Sequence, residues 1–214
     1  MPPQPLSQPS LLTPPATVSP QTALHLSQRA PLLLSKSPTS SLPWPLSLLF
    51  NTETPDTWTI HENALYASLR TGDDATARQL LSRLTARFGE ENPRVLTLRG
   101  IYEETVAKNN AELEAVLKNY DKFLKDDPTL FPIRKRRAVV LKALGRTQDA
   151  VAALVELVDQ SPADAEAWAE LGDLYKELGS FSQAIYCWEE VLLFAPNSWA
   201  VCSQGCAIWR EDNC

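Results

Sequence analysis

Apolar residues recur at helical spacing along residues 165–198, and their pattern predicts two helices that pack against each other. The apolar positions are Trp168, Leu171, Tyr175, Trp188, Val191 and Leu192. Gly179 lies between the apolar positions of the first helix, which end at Tyr175, and those of the second, which begin at Trp188. It predicts a left-handed residue that ends the first helix. Pro196 predicts the end of the second, because proline cannot continue a helix.

Fixed spacings within this segment match a tetratricopeptide (TPR) repeat, which reads W-x2-L-G-x2-Y, then A-x3-aromatic, then P. The residues that define the repeat are Trp168, Leu171, Gly172, Tyr175, Ala184, Trp188 and Pro196. Gly172 has no side chain, so the second helix can approach it closely, and Ala184 keeps the crossing tight. We expect the three aromatic residues of this motif to be buried at repeat junctions.

The same pattern recurs upstream with a period of 34 residues, which separates Pro128 from Pro162, Pro162 from Pro196, and Gly145 from Gly179. This is the TPR period. The sequence therefore predicts an all-α, right-handed TPR solenoid of about four helix pairs. The pairs are predicted at 58–89, 94–128, 131–162 and 165–198, within a repeat domain that spans 56–198.

The first 55 residues have a different composition, with 12 of the 17 prolines and many Ser and Thr. We expect this leader (1–55) to be mostly disordered. Apolar residues within 22–36 favour one short helix there, broken by Pro31, that can dock on the helices that follow. The leader contains no acid before Glu53, as in mitochondrial transit peptides, but its bases are only Arg29 and Lys36, which disfavours that interpretation.

Residues 199–214 do not continue the repeat pattern. A solenoid needs a polar capping helix at its end, and this short tail has Gly205 in its middle. We expect the chain to be a truncated or mis-spliced form of a longer repeat protein. Such a form would leave apolar side chains of the last repeat uncovered and would tend to aggregate.

The composition argues against several classes of function. The net charge of −6 disfavours a general nucleic-acid binder, and no apolar run approaches the roughly 18 residues of a membrane span. Four cysteines without a nearby His (Cys187, Cys202, Cys206, Cys214) indicate reduced thiols better than a zinc site. No catalytic constellation, phosphate loop or dinucleotide motif is present. We predict a non-enzyme with no metal, cofactor or small-molecule ligand.

The basic run at residues 134–137, Arg-Lys-Arg-Arg, is the conspicuous charge feature. A plain solvated face is one interpretation and a site for an acidic partner is another. Lipid headgroups and nuclear import are further alternatives.

In a TPR array the first helix of each repeat lines the partner-binding groove. By register, the groove residues are Lys135, Val139, Lys142, Glu166, Ala169, Asp173 and Lys176. We expect Lys135 and Lys142 to meet an acidic or polar partner segment. A co-chaperone that grips a C-terminal carboxylate with Lys and Asn is the alternative. Val139 stands where that module needs Asn, and the acids at 166 and 173 repel a carboxylate.

Several stretches of sequence resemble subunit 2 of the endoplasmic reticulum (ER) membrane protein complex, a TPR-repeat family, in a fungal form. They are YDKFLKDDP at 120–128 with the basic run, EAWAELGDLY at 166–175 with AIYCWEE at 184–190, and WTIHEN at 58–63 with RTGDD at 70–74. The resemblance covers about residues 56–200. Family members continue through further helical repeats where this chain ends.

The resemblance implies a non-catalytic scaffold on the cytosolic side of the ER membrane, held there indirectly through its partners. Those partners are other subunits of a complex that inserts transmembrane helices, including tail anchors. The family member cups the cytosolic parts of membrane-embedded subunits and joins them to another soluble subunit.

Overall fold

The computed structural model describes residues 11–14, 19–31 and 55–196, and within these ranges every regular element is an α-helix. The predicted all-α TPR fold class is confirmed. The helices are α1 (Pro20–Ser27), α2 (Pro55–Thr71), α3 (Asp74–Phe88), α4 (Pro93–Val106), α5 (Asn110–Asp126), α6 (Phe131–Ala143), α7 (Thr147–Gln160), α8 (Ala165–Glu177) and α9 (Phe181–Phe194).

The chain forms two compact units, Met1–Val106 and Ala107–Cys214. In the first unit α1 packs on α2, α2 on α3, and α3 on α4. Leu11 and Leu26 belong to its hydrophobic core together with Leu65 of α2. The Asn63 side chain donates a 2.7 Å hydrogen bond to the Leu11 carbonyl, which fixes the N-terminal segment on α2.

In the second unit consecutive helices from α5 to α9 pack in sequence order. Gly145 and Gly179, one period apart, have φ of 75° and 73°. The left-handed conformation predicted for Gly179 is therefore confirmed, and at both positions glycine adopts it without the strain of a side chain. The Asp164 side chain accepts from the Ala167 amide and caps the start of α8.

The aromatic residues of the best-matching repeat differ in burial. Trp188 is buried, whereas Trp168 and Tyr175 are half-buried and pack against its cluster. Our expectation of full burial is wrong for these two. The indole of Trp168 lies at the edge of the cluster, where its N–H donates to the Pro162 carbonyl at 2.9 Å.

Parts of the sequence-based interpretation fall outside the described ranges: the tail at 199–214, residues 32–36 of the predicted short helix, and Cys202, Cys206 and Cys214. No helix in the ranges that the structure describes is both long and apolar enough to cross a membrane.

Candidate partner-binding groove

The seven predicted groove residues lie on α6 and α8, the first helices of the last two described pairs. Glu166 and Asp173 are exposed, while Val139 and Lys176 are half-buried. Ala169 packs partly against the hydrophobic cluster under α8, so it contributes less open surface than the register predicts. These residues define what we call the groove surface.

Lys135 connects the two helices of the groove surface. Its Nζ lies 2.7 Å from Asp164 Oδ2 and 3.0 Å from Glu166 Oε2. Burial lowers the pKa of Lys135, but the hydrogen bonds to Asp164 and Glu166 outweigh this effect, so the net pKa is raised. Since the raised pKa lies above 10.5, these interactions stabilise the folded state at neutral pH and are lost only in strong alkali.

Lys142 makes the second connection, because its Nζ lies 2.7 Å from Glu177 Oε1 at the end of α8. Glu170 interacts electrostatically with Lys135, Arg136 and Lys142. Burial raises the pKa of Glu170, and the nearby cations offset this rise only in part.

Sequence reasoning missed three carboxylates that adjoin the groove surface, Asp164, Glu170 and Glu177, and we include them in it from here on. Glu170 follows Glu166 by four residues and so shares its helix face. That spacing was the available signal. Asp164 and Glu177 lie just outside the register positions of the TPR groove.

Charge on this surface is mostly balanced within the chain. Four cations (Lys135, Arg136, Lys142, Lys176) lie with five carboxylates (Asp164, Glu166, Glu170, Asp173, Glu177), and two of the lysines are in ion pairs. The expectation that Lys135 and Lys142 meet an acidic or polar partner segment stays a prediction. The groove surface has an excess of negative charge, which complements a polar or basic segment.

The basic run divides between two faces of α6. Lys135 and Arg136 face the carboxylates of α8. Arg137 instead bonds Asp121 of α5 at 2.7 Å, and Arg134 bonds Gln160 of α7 at 2.8 Å. The run is thus not one solvated patch but two sets of contacts with different neighbours.

Among the residues that the structure describes, no group of His, Cys, Asp and Glu has the geometry of a metal site. Burial raises the pKa of the Cys187 thiol to about 11, so it is protonated at neutral pH and a weak nucleophile. The groove surface presents both charged and apolar side chains.

Comparison with protein families finds a match over residues 96–202 to a family described as the EMC2 TPR-like repeat domain. TPR repeat protein oca3 of Schizosaccharomyces pombe is 35% identical over 139 residues, which are 65% of this chain and 48% of that protein. ER membrane protein complex subunit 2-A of Xenopus laevis is 35% identical over 143 residues, which are 67% of this chain and 46% of that protein. The chain spans about half the length of these relatives.

Comparison with solved structures supports the fold. A thermophilic TPR protein of Thermus thermophilus, TTC0263, superposes with a TM-score of 0.61 at 15% identity, covering 89% of this chain and 99% of that one. At this level of identity the likeness concerns the fold alone.

Proposed function

The chain belongs to the family of the EMC2 TPR-like repeat domain, and from this membership we propose that it is a non-catalytic scaffold subunit of the ER membrane protein complex. In this role it binds other subunits and so supports the insertion of transmembrane proteins. It associates with the cytoplasmic side of the ER membrane through those subunits.

The observation that carries this proposal is the family match itself, because residues 96–202 include all of α6 and α8, and thus the whole groove surface. Relatives named as subunit 2 of the ER membrane protein complex share 35% identity in Xenopus and 31% in Dictyostelium discoideum. The fold adds a physical reason, since stacked helix pairs present an extended surface that suits protein segments.

Recovery of partners from membranes tests the assignment. The full chain, tagged and expressed in a fungal cell, is purified from solubilised ER membranes, and the co-purifying proteins are identified by mass spectrometry. We expect subunits of the ER membrane protein complex. Recovery of heat-shock chaperones in place of those subunits would favour the co-chaperone alternative and overturn the proposal.

Charge reversal at Asp173 tests the groove surface. Asp173 is exposed on α8, so Asp173→Lys alters the surface without uncovering the core. If a polar or basic partner segment lies there, recovery of complex subunits falls several-fold while helical content is unchanged. The control is Glu189→Lys, the same charge change at an exposed position of α9.

The double reversal Lys135→Glu with Lys142→Glu complements this test. It replaces three ion-pair contacts between α6 and α8 by repulsion, so we expect a lower melting temperature (Tm) with helical content retained. If the partner segment is acidic, as the sequence predicts, recovery of complex subunits falls, whereas the added negative charge keeps or raises recovery if the segment is basic. Unchanged recovery for both this variant and Asp173→Lys would show that partners bind elsewhere on the chain.

A further inference from the structure

A cavity of about 410 Å³ lies between α5, α6 and α7 of the second unit. It is lined by three cations and two acids: Lys125, Arg134, Arg137, Asp121 and Glu156. Leu124 and Ala153 add a short apolar wall. None of these residues belongs to the groove surface.

The 34-residue register explains why the cavity is charged. Subtracting the period from Trp168 gives Arg134, and subtracting it from Leu171 gives Arg137. In the α8–α9 pair the Trp and Leu pack in or against the core, with Leu171 only 2% exposed. In the α6–α7 pair, arginines stand at both apolar positions of the repeat motif and leave a charged cavity.

The two arginines have hydrogen-bonding capacity to spare. The Arg134 side chain is 14% exposed and bonds through Nη1 alone, to Glu156 at 3.4 Å and Gln160 at 2.8 Å. Arg137 bonds Asp121 through Nε. Within residues 55–196, no partner occupies Nε or Nη2 of Arg134 or either terminal nitrogen of Arg137. Half-buried guanidinium groups with open donors are suited to bind a planar oxyanion.

We propose that this cavity binds the carboxylate of an Asp or Glu side chain on a partner protein, at a site separate from the groove surface. With three cations and two acids, the lining carries one positive charge in excess, which matches a single carboxylate better than a phosphate dianion. The apolar wall accepts the methylene groups of the side chain. Because the partner is taken to be a subunit of the complex, the inference rests on the proposed function.

Nuclear magnetic resonance on the full ¹⁵N-labelled chain tests the site directly. The probe is N-acetyl-glutamate methylamide, and the matched comparator is N-acetyl-glutamine methylamide. We expect the glutamate probe to shift the Arg134 and Arg137 Nε–H resonances, with shifts that saturate as its concentration rises. The glutamine probe should bind at least about tenfold more weakly. Equal shifts with both probes, or none with either, would overturn the proposal.

Two variants separate loss of the site from loss of the fold. Arg134→Gln should abolish the probe-induced shift at Arg137, while Arg146→Gln, at an exposed arginine paired with Asp149, should not. The double substitution Arg134→Trp with Arg137→Leu restores the apolar residues of the motif and refills the cavity. It should keep or raise the Tm yet lose binding. Retained binding in a folded, refilled protein would exclude this cavity as the site.

Photo-crosslinking in ER membranes identifies the partner. A benzoylphenylalanine at position 153, in the cavity wall, should capture a subunit segment that contains Asp or Glu, whereas one at the exposed position 152 should not. If complex subunits are not recovered but the glutamate probe still binds, the proposed function fails and the site stands. If subunits are recovered and the probe does not bind, the site fails alone.

Discussion

Gly172 is the residue at which α8 and α9 approach each other closely. A Cβ placed there would lie 2.9 Å from Trp188 Nε1 and 3.3 Å from Cys187 Cβ. Trp188 is buried, so its ring has little room to move. Gly172→Ala gains about 1 kcal/mol in helix propensity, but overpacking costs about 1–3 kcal/mol. We therefore expect a net loss of up to about 2 kcal/mol, seen as a Tm lower by up to about 8 °C.

A compensating substitution checks this cause. Trp188→Phe removes Nε1, the atom nearest to a Cβ at position 172, and leaves Cys187 Cβ in place. The change breaks no hydrogen bond in the described part of the chain, because Trp188 Nε1 has no partner there. In a double-mutant cycle the two changes together should cost less than their sum. Additive losses would mean that position 172 is sensitive for another reason.

Glu170 gives a prediction about pH. Desolvation by the neighbouring helix raises the pKa of its carboxyl above the ordinary 4.5, although the residue as a whole is exposed, so ionisation of Glu170 disfavours the folded state. The penalty is absent well below pH 4.5, grows between 4.5 and the raised pKa of the folded state, and is constant at higher pH. Glu170→Gln should therefore raise the Tm at neutral pH by about 1–2 °C, since partial solvent exposure keeps the effect small. The gain should vanish near about pH 4.

Thermal melts at several pH values measure this difference, with Glu189→Gln on α9 as the control for removing an exposed acid. A Tm that falls at neutral pH in the Glu170 variant would show the opposite balance. It would mean that attraction to Arg136, Lys135 and Lys142 outweighs burial.

At the scale of the element, α1 offers a matched pair of leucines two residues apart. Leu26 is 2% exposed in the core of the first unit, whereas Leu24 is 52% exposed. Leu26→Ala should cost about 2–5 kcal/mol and speed hydrogen exchange in α2, while α8 and α9 keep their protection. Leu24→Ala should leave exchange nearly unchanged. If Leu26→Ala and Leu24→Ala changed hydrogen exchange in α2 equally, α1 would not stabilise α2 through its buried face.

The helices that the sequence predicted share one property: each is defined by local periodicity. The 34-residue register places α6 to α9 because proline, glycine and apolar positions recur at fixed offsets. The contact of Leu11 with Asn63 has no such signal, since the acceptor is a backbone carbonyl 52 residues away. Tertiary contacts of this kind follow from packing rather than from local pattern.

The groove and the cavity show the same limit at the level of side chains. Register placed Lys135 and Lys142 on the correct helix, but it did not reveal that both pair with carboxylates of α8. The register also places Arg134 and Arg137 at the positions where the TPR motif has Trp and Leu. That substitution becomes interpretable only when α5 and α7 are seen on either side of α6.

At the scale of the whole molecule, α9 presents exposed apolar residues. Tyr186, Leu193 and Phe194 are 54%, 73% and 48% exposed, and Tyr186 and Leu193 share one helix face by their spacing. Covering a large apolar side chain contributes roughly 1.5–3 kcal/mol, so two molecules that bury these faces together gain substantially. We predict that the isolated 214-residue chain self-associates as its concentration rises.

Replacing the apolar face of α9 with polar residues tests this prediction. Leu193→Ser with Phe194→Ser should weaken association at least about tenfold, because each copy loses two apolar contacts. Light scattering after size-exclusion chromatography, over a range of loading concentrations, measures the mass. Leu24→Ser is the control, since it removes an exposed leucine in the first unit. Two results would show that the α9 face does not drive association. One is a parent protein that stays monomeric at every concentration, and the other is a Leu24→Ser control whose association weakens as much as that of the α9 variant.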